Sequence, residues 1–233
     1  MNILYIHQYF TTREGMTGTR SYENAKYLVR QGHDVTVLTG DAFLQGLTPV
    51  RSGKRHSEYE IDGIRVIAVR NRYSNYMSYL RRIGSFLRFM IDSTLLAIRQ
   101  KRVDVVFATS TPLTVAVPAL LMKLAKRVPF VFEVRDLWPE APIQLGAIRS
   151  KPLAAMLRAF ERMTYKHASH IVTLSPGMSD GVLQTGVRPE KITMVPNCSD
   201  LDLFGQPDTV SLRDRYGLEG KLVAVHGGSM GVA

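Results

Sequence analysis

Short apolar runs alternate with amphipathic stretches along most of this sequence. The first run, residues 3–7, leads into a loop with two glycines, a helical pattern at 19–31 and a second apolar run at 34–39. The alternation continues with strand patterns at 105–109, 130–134, 170–174 and 192–195 and helical patterns at 113–126, 150–167 and 176–184. This repetition predicts an α/β fold, a Rossmann-like parallel sheet of about six strands with helices on both faces.

Three segments depart from that rhythm. Asp62 and Gly63 separate two extended runs within 58–69, which predicts a hairpin at one edge of the sheet. A long basic helix is predicted over about residues 75–101. The uncharged run 105–122 contains prolines and hydroxyl residues, so it is interpreted as strand, loop and helix rather than as a membrane span.

The end of the sequence predicts the start of a second domain. We expect a first domain over 1–205, a linker over 206–220 that includes a short polar helix, and a new strand and glycine loop over 221–233. So few residues cannot form a domain, and we therefore expect the second lobe to be truncated here.

Composition narrows the class of protein. With 233 residues, 45% of them apolar, the chain can bury a substantial core. The single cysteine, Cys198, and the lack of a signal-peptide pattern at residues 1–10 favour the cytoplasm. The net charge of +10 indicates an anionic partner, either nucleic acid, lipid headgroups or phosphorylated ligands.

The glycine loop after the first strand is a candidate phosphate site. Gly15 and Gly18 would let the backbone approach a ligand, Thr19 begins a helix whose free N–H groups attract anions, and Arg20 adds a guanidinium. A plain glycine turn is the alternative. Binding of NAD is a weaker match, although Asp41 stands where a ribose-binding acid would, because the glycines are not spaced as G-x-G-x-x-G.

Residues 133–140 concentrate chemistry at one strand end. Asp136 could orient or deprotonate a hydroxyl group, Arg135 could bind phosphate, and Trp138 could form an apolar wall, with Glu140 nearby. The alternative is a salt-bridged loop. Ser175 also follows a strand, but capping of the next helix is its simpler role. No metal or catalytic-triad spacing is present, and we expect no cofactor.

The basic helix carries one polar stripe between two apolar sides. The stripe consists of Arg81, Ser85, Arg88, Asp92 and Arg99. We expect one apolar side to contact the core, namely Leu80, Ile83, Leu87, Ile91 and Ile98. The other side, with Phe86, Phe89 and Leu96, would then rest on a membrane beside the arginines. A core helix with a solvated charged stripe is the alternative.

Four segments together resemble the retaining glycosyltransferase family 4, and within it bacterial enzymes similar to fucosamine transferases of surface-polysaccharide assembly. They are YLVRQGHDVTVLTG at 27–40, VFEVRDLWPE at 131–140, KITMVPNCSDLDLF at 191–204 and VAVHGGSMG at 223–231. The resemblance implies a GT-B fold, in which an acceptor-binding amino-terminal lobe faces a nucleotide-sugar-binding lobe. Arg135 and Asp136 stand where many members have His-Asp, which makes Asp136 the candidate catalytic residue.

The resulting hypothesis is a glycosyltransferase that moves a sugar, with retention, from a nucleotide-diphosphate donor to a lipid-linked or polysaccharide-precursor acceptor. It would act at the inner face of the cytoplasmic membrane, with no nucleic-acid partner, and this chain alone would be inactive. Donor contacts are expected from Gly15, Gly18, Thr19, Arg20, Gly227 and Gly228, acceptor contacts from Arg135, Trp138, Glu140, Ser175 and Asn197, and membrane contacts from Arg81, Phe86, Arg88, Phe89 and Arg99. A non-catalytic polyprenyl-phosphate or membrane-binding module and an NAD-dependent sugar epimerase or dehydrogenase are the alternatives.

Overall fold

A nine-stranded sheet forms the centre of the protein. The computed structural model describes residues 1–15, 17–71, 73, 77–198 and 212–226. The strands are β1 (Asn2–Ile6), β2 (Asp34–Gly40), β3 (Arg51–Ser52), β4 (His56–Ile61), β5 (Ile64–Val69), β6 (Val105–Thr109), β7 (Phe130–Val134), β8 (His170–Thr173) and β9 (Ile192–Met194). Their order across the sheet is β3-β4-β5-β2-β1-β6-β7-β8-β9.

Helices connect most of the strands. They are α1 (Arg20–Arg30), α2 (Tyr79–Arg99), α3 (Ala116–Lys126), α4 (Glu140–Gln144), α5 (Lys151–His167), α6 (Pro176–Leu183) and α7 (Leu212–Tyr216). Short 3-10 helices cover Asp41–Phe43, Leu113–Val115 and Pro189–Lys191. Amphipathic patterns and proline at the starts of α5 and α6 account for the helical boundaries there.

The sheet reverses its direction of growth at β1. From β1 the chain adds β2 and then β5 on one side, and β6, β7, β8 and β9 follow on the other, all in parallel pairs. Only the β3–β4 and β4–β5 pairs of the described residues are antiparallel. The gap between the carboxyl ends of β1 and β6 is therefore the topological switch point, where ligands of such sheets bind.

The core lies on both faces of the sheet, because successive strand residues point to opposite sides. In β1, Leu4 and Ile6 join a cluster that includes Phe89 of α2 and Ala119 of α3. Ile3 and Tyr5 join the opposite cluster with Tyr22 and Ala25 of α1. Helices thus cover both faces, as the sequence predicts.

The apolar runs place the strands correctly, and β5 adds one more parallel strand to the six predicted. The predicted hairpin at 58–69 is formed by β4 and β5, and β3 extends that edge. The uncharged run 105–122 divides into β6, a 3-10 helix and the start of α3, as predicted. Among the described residues, no helix combines the length and apolar character needed to cross a membrane.

The predicted orientation of α2 is wrong. Phe89 is fully buried and Leu96 nearly so, and both belong to the core. The side expected to face the core is instead the exposed one, with Ile83, Leu87, Ile91, Leu95 and Ile98 each at least 36% exposed. The side chain of Leu80 lies outside the described residues. The periodicity shows two apolar sides, and only the packing of α2 against β2, β5 and α3 decides between them.

The chain divides into two compact units, Met1–Asn197 and Cys198–Ala233. In the second unit the described residues are 198 and 212–226, which contain the short helix α7. Residues 221–226 form neither helix nor strand, and Leu222 and Val225 are exposed, so the strand and glycine loop expected over 221–233 stay a prediction. A strand requires a hydrogen-bonded neighbour, and these residues have no strand pairing with any other described residue.

The orientation of α2 is testable by truncating one residue on each side of the helix. Phe89→Ala should lower the free energy of unfolding by about 3–5 kcal/mol, because it leaves a cavity in the core. Leu87→Ala, on the exposed side, should cost less than about 1 kcal/mol. Urea denaturation followed by circular dichroism measures both, and a larger loss for Leu87→Ala would contradict this orientation.

Candidate functional site

Polar side chains from three strand ends meet at the switch point. Each follows the last residue of a neighbouring parallel strand, so the sheet itself brings them to one edge. His7 and Gln8 follow β1, Ser110 and Thr111 follow β6, and Arg135 and Asp136 follow β7. We call this group the crevice.

Arg135 connects the crevice to the glycine loop. Its Nη1 lies 3.4 Å from Nε2 of His7, and its backbone N–H donates to Oγ of Ser110 over 2.9 Å. A Cβ atom at Gly18 would lie 3.3 Å from Nη2 of Arg135, so a side chain at position 18 would crowd the guanidinium. The loop predicted to bind the donor and the segment predicted to bind the acceptor are therefore in contact.

His7 remains neutral in this setting. Burial, followed by the positive charge of Arg135, lowers the pKa of His7 to about 3. Its Nδ1 atom, and both side-chain polar atoms of Gln8, are buried without a hydrogen-bond partner among the described residues. Unpaired buried polar groups are costly, so a hydrogen-bond partner that reached these atoms would stabilise this strand end.

Asp136 presents its carboxylate at the rim. The residue is exposed and accepts a hydrogen bond from the hydroxyl of Thr111. An exposed carboxylate beside an arginine can accept a proton or a hydrogen bond from an incoming hydroxyl group. The catalytic role expected of Asp136 stays a prediction.

A buried ion pair lies behind the crevice. Oε1 of Glu133, a fully buried residue, is 2.9 Å from Nε of Arg20. The hydroxyl of Thr109 lies 3.1 Å from the other carboxylate oxygen and 3.3 Å from the hydroxyl of Tyr5. Burial, reinforced by the charge of Glu133, raises the pKa of Tyr5 to about 12. Glu133 thus organises a polar network between α1, β6 and β7.

Arg20 serves this network rather than a ligand. Besides Glu133, its guanidinium donates to the backbone oxygens of Val195 and Pro196 over 2.8 and 2.9 Å, and lies 3.5 Å from Oδ1 of Asn197. In this structure the guanidinium of Arg20 makes structural contacts, and the donor-phosphate contact expected of it stays a prediction. The side chain of Thr19 does not cap α1. The backbone N–H groups at the start of the helix therefore donate no hydrogen bond to this hydroxyl.

Gly15 has a packing role. A Cβ atom at this position would lie 1.7 Å from Oγ1 of Thr11, so no larger residue fits without rearrangement. The N–H of Gly15 donates to the carbonyl of Thr12 in a tight turn. At Gly15 the plain glycine turn is the interpretation that the structure favours, while Gly18 lies against Arg135.

The other predicted acceptor contacts are dispersed. Trp138 is partly buried against the core, and Glu140 forms an ion pair with Arg158 of α5 at 2.9 Å. Ser175 caps α6 by accepting from the N–H of Met178, the simpler role expected from the sequence. Gly227 and Gly228 lie outside the described residues.

Of the predicted membrane contacts, only the arginines keep an exposed position. Arg81, Arg88 and Arg99 are exposed on α2. Phe89 is buried in the core, and Phe86 stacks on Tyr73 with ring centroids 6.3 Å apart. No group of three or more potential metal ligands lies together in the described parts of the chain.

Three residues of the site were missed by sequence reasoning. Glu133 was grouped with its loop although it is the penultimate residue of β7, and a carboxylate within an apolar strand signals a buried partner. His7 and Gln8 directly follow β1 at the switch point. The rule that ligands bind beyond strand ends would have selected them.

Removal of Arg20 should destabilise the protein strongly. Arg20→Ala leaves Glu133 buried without its cation and should cost about 3–5 kcal/mol of unfolding free energy. Arg65→Ala, which breaks the exposed pair with Glu58, is the control and should cost less than about 1 kcal/mol. Adding Glu133→Gln to Arg20→Ala should recover part of the loss in chemical denaturation. Equal small losses for both single variants would refute the structural role.

The sequence of this chain matches a known protein family. Residues 16–198 match the family described as Glycosyl transferase 4-like domain, which is more than half of the chain. Among curated proteins, none matches the sequence.

Solved structures show the same fold at low identity. Sucrose-phosphate synthase from Thermosynechococcus elongatus has a TM-score of 0.63 at 10% identity, over 93% of this chain and 52% of that protein. Anabaena Alr3699/HepE in complex with UDP-glucose has a TM-score of 0.56 at 17% identity, over 94% and 50%. Arabidopsis thaliana UGT89C1 complexed with UDP-L-rhamnose has a TM-score of 0.55 at 12% identity, over 95% and 55%.

This chain thus spans about half the length of these three proteins. The predicted fold class, an open and mostly parallel α/β sheet like the amino-terminal lobe of GT-B glycosyltransferases, is confirmed. The family match does not favour the NAD-dependent or the non-catalytic alternative. By this match and by its sheet topology, the chain belongs to the Glycosyl transferase 4-like domain family.

Proposed function

We propose that the complete protein transfers a sugar, with retention, from a nucleotide-diphosphate donor to a lipid-linked acceptor at the inner face of the cytoplasmic membrane. The observation that carries the proposal is the contact of Gly18 with Arg135, the residue before Asp136, at the switch point of a glycosyl transferase 4-like domain. In this proposal the described lobe binds the acceptor and borders the donor site.

The proposed donor site consists of a guanidinium group and backbone N–H groups. Gly18 leaves room beside the guanidinium of Arg135, and the start of α1 at Thr19 has no side-chain cap. Together they offer N–H donors and positive charge to a diphosphate. Two proteins of the same fold were solved with UDP-glucose and UDP-L-rhamnose, which supports a nucleotide sugar as the donor class.

The acceptor side of the proposal rests on Asp136. Its exposed carboxylate would accept a hydrogen bond from the acceptor hydroxyl and take up its proton. In the same step the acceptor oxygen bonds to the anomeric carbon of the donor sugar, and the bond from that carbon to the diphosphate breaks on the same face, which releases a nucleoside diphosphate and retains the configuration. Thr111 holds the carboxylate through its own hydroxyl, and Arg135 supplies the neighbouring positive charge. A positioned proton acceptor of this kind typically contributes about 10²–10⁴ in rate.

The membrane part of the proposal rests on the corrected face of α2. Leu87, Ile91 and Leu95 are 47%, 54% and 40% exposed and lie four residues apart, so they form one apolar stripe along the helix. Arg88 and Arg99 are exposed on the same helix. An amphipathic helix with arginines beside an apolar stripe suits an anionic leaflet, where each arginine near the surface adds about 1 kcal/mol.

The catalytic assignment predicts a specific loss of activity. In the complete gene product, Asp136→Asn should lower the transfer of radiolabelled sugar from nucleotide sugars to lipid-linked acceptors by about 10²-fold or more, with little change in stability. Asp34→Asn makes the same chemical change at the amino end of β2, whereas the crevice lies at the carboxyl ends of the strands. This control should leave transfer unchanged. Undiminished transfer by Asp136→Asn would remove Asp136 from the mechanism.

The membrane assignment predicts a loss of vesicle binding. Leu87→Asp/Ile91→Asp should weaken cosedimentation with vesicles containing phosphatidylglycerol by about tenfold or more, because both apolar contact and charge attraction fall. Met156→Asp/Met163→Asp adds the same charge on α5, at residues 60% and 43% exposed, and should bind as the unaltered protein does. Equal effects of the two double variants would contradict a role for α2.

A further inference from the structure

A basic pocket lies outside the crevice, beside the start of α2. It has a volume of about 680 Å³ and is lined by Asp41, Arg70, Asn71, Arg81, Ser85 and Arg88, with Gly84 between the two helical arginines. Asp41 follows β2, and Arg70 and Asn71 follow β5. The pocket therefore opens at the same carboxyl edge of the sheet as the crevice, and its volume falls within the range of small-molecule sites.

Positive charge dominates this pocket. Three arginines face one carboxylate, that of Asp41, and this carboxylate already accepts the backbone N–H of Asn71 over 2.9 Å. Nε of Arg88 lies 3.7 Å from Asp92, beyond hydrogen-bond distance. The guanidinium of Arg70 has a contact with the hydroxyl of Ser52 at 3.3 Å. Arginine forks keep enough free N–H groups to bind phosphate oxygens in pairs.

Asn71 provides an independent indication of a ligand. The residue is only 2% exposed, and its Oδ1 accepts from the hydroxyl of Ser85 over 3.0 Å. Its Nδ2 is buried and has no acceptor among the described residues. A buried donor without an acceptor is costly, and a phosphate oxygen in the pocket would provide the missing acceptor.

We propose that this pocket binds a phosphate or diphosphate group, and that this group is the headgroup of the lipid-linked acceptor. The assignment to a lipid rests on the proposed function. It is supported by the exposed stripe of α2, because Leu87 and Ile91 belong to the same helix as Arg81 and Arg88. A phosphate held by the arginines would place an attached hydrocarbon chain beside apolar side chains rather than in water.

Gly84 allows a test that keeps the arginines intact. A Cβ atom there meets no other atom within 4 Å, and glutamate or glutamine suits a helix interior better than glycine does, so both variants should fold. Gly84→Glu places a carboxylate at the pocket and should weaken anion binding by about tenfold or more relative to Gly84→Gln, which adds the same bulk without the charge.

Two probes separate the possible sources of the phosphate. Calorimetric titration of the full chain with inorganic pyrophosphate tests the free anion, and flotation with phosphatidylcholine vesicles containing undecaprenyl phosphate tests the lipid. We expect both to bind, pyrophosphate to compete with the vesicles, and Gly84→Glu and Arg81→Ala/Arg88→Ala to lose both activities. Arg102→Ala/Lys151→Ala removes two exposed charges elsewhere and should lose neither.

The outcomes distinguish this inference from the proposed function. If pyrophosphate binds equally to Gly84→Glu and Gly84→Gln, the pocket is not an anion site. If Gly84→Glu binds pyrophosphate more weakly than Gly84→Gln does, but the protein binds vesicles with undecaprenyl phosphate no better than plain vesicles, the lipid assignment is overturned. Neither measurement uses a sugar nucleotide, so a failure of transfer by the complete protein would leave both results unaffected.

Discussion

The arrangement at the strand ends depends on the burial of one carboxylate. Glu133 has no exposed surface, and an ionised carboxylate in an apolar interior is stable only when it is paired and hydrogen-bonded. Arg20 and Thr109 meet that requirement from α1 and β6. The start of α1 is thereby fixed against the end of β7, and this contact sets where Gly18 lies with respect to Arg135.

Local sequence patterns predict the strands of the sheet but not the orientation of α2. Apolar runs bounded by glycine or polar residues suffice to place the strands, because burial on both faces makes a parallel strand continuously apolar. In α2 the same kind of pattern gives two apolar sides, one with Phe89 and one with Leu87, and the sequence contains nothing local that ranks them. The choice depends on which side meets β2, β5 and α3 in space.

In the candidate site, too, the sequence allows some residues to be selected but does not reveal all of their contacts. Arg135 and Asp136 could be selected in advance because they follow a strand and carry charge in a position where parallel sheets bind ligands. Arg20 looked equally suitable, yet its charge is consumed by Glu133, 113 positions away in the sequence, and by the backbone after β9. Contacts at such separation leave no periodic signal, so sequence reasoning can suggest that a cation is useful but not which anion claims it.

The hydrogen bonds of Arg20 to the segment after β9 fix the end of the first compact unit. Its two shortest backbone contacts are with Val195 and Pro196, which immediately precede the boundary between the two compact units at Asn197. The last residues of the first unit are thus anchored to the first turn of α1 instead of trailing from a strand end.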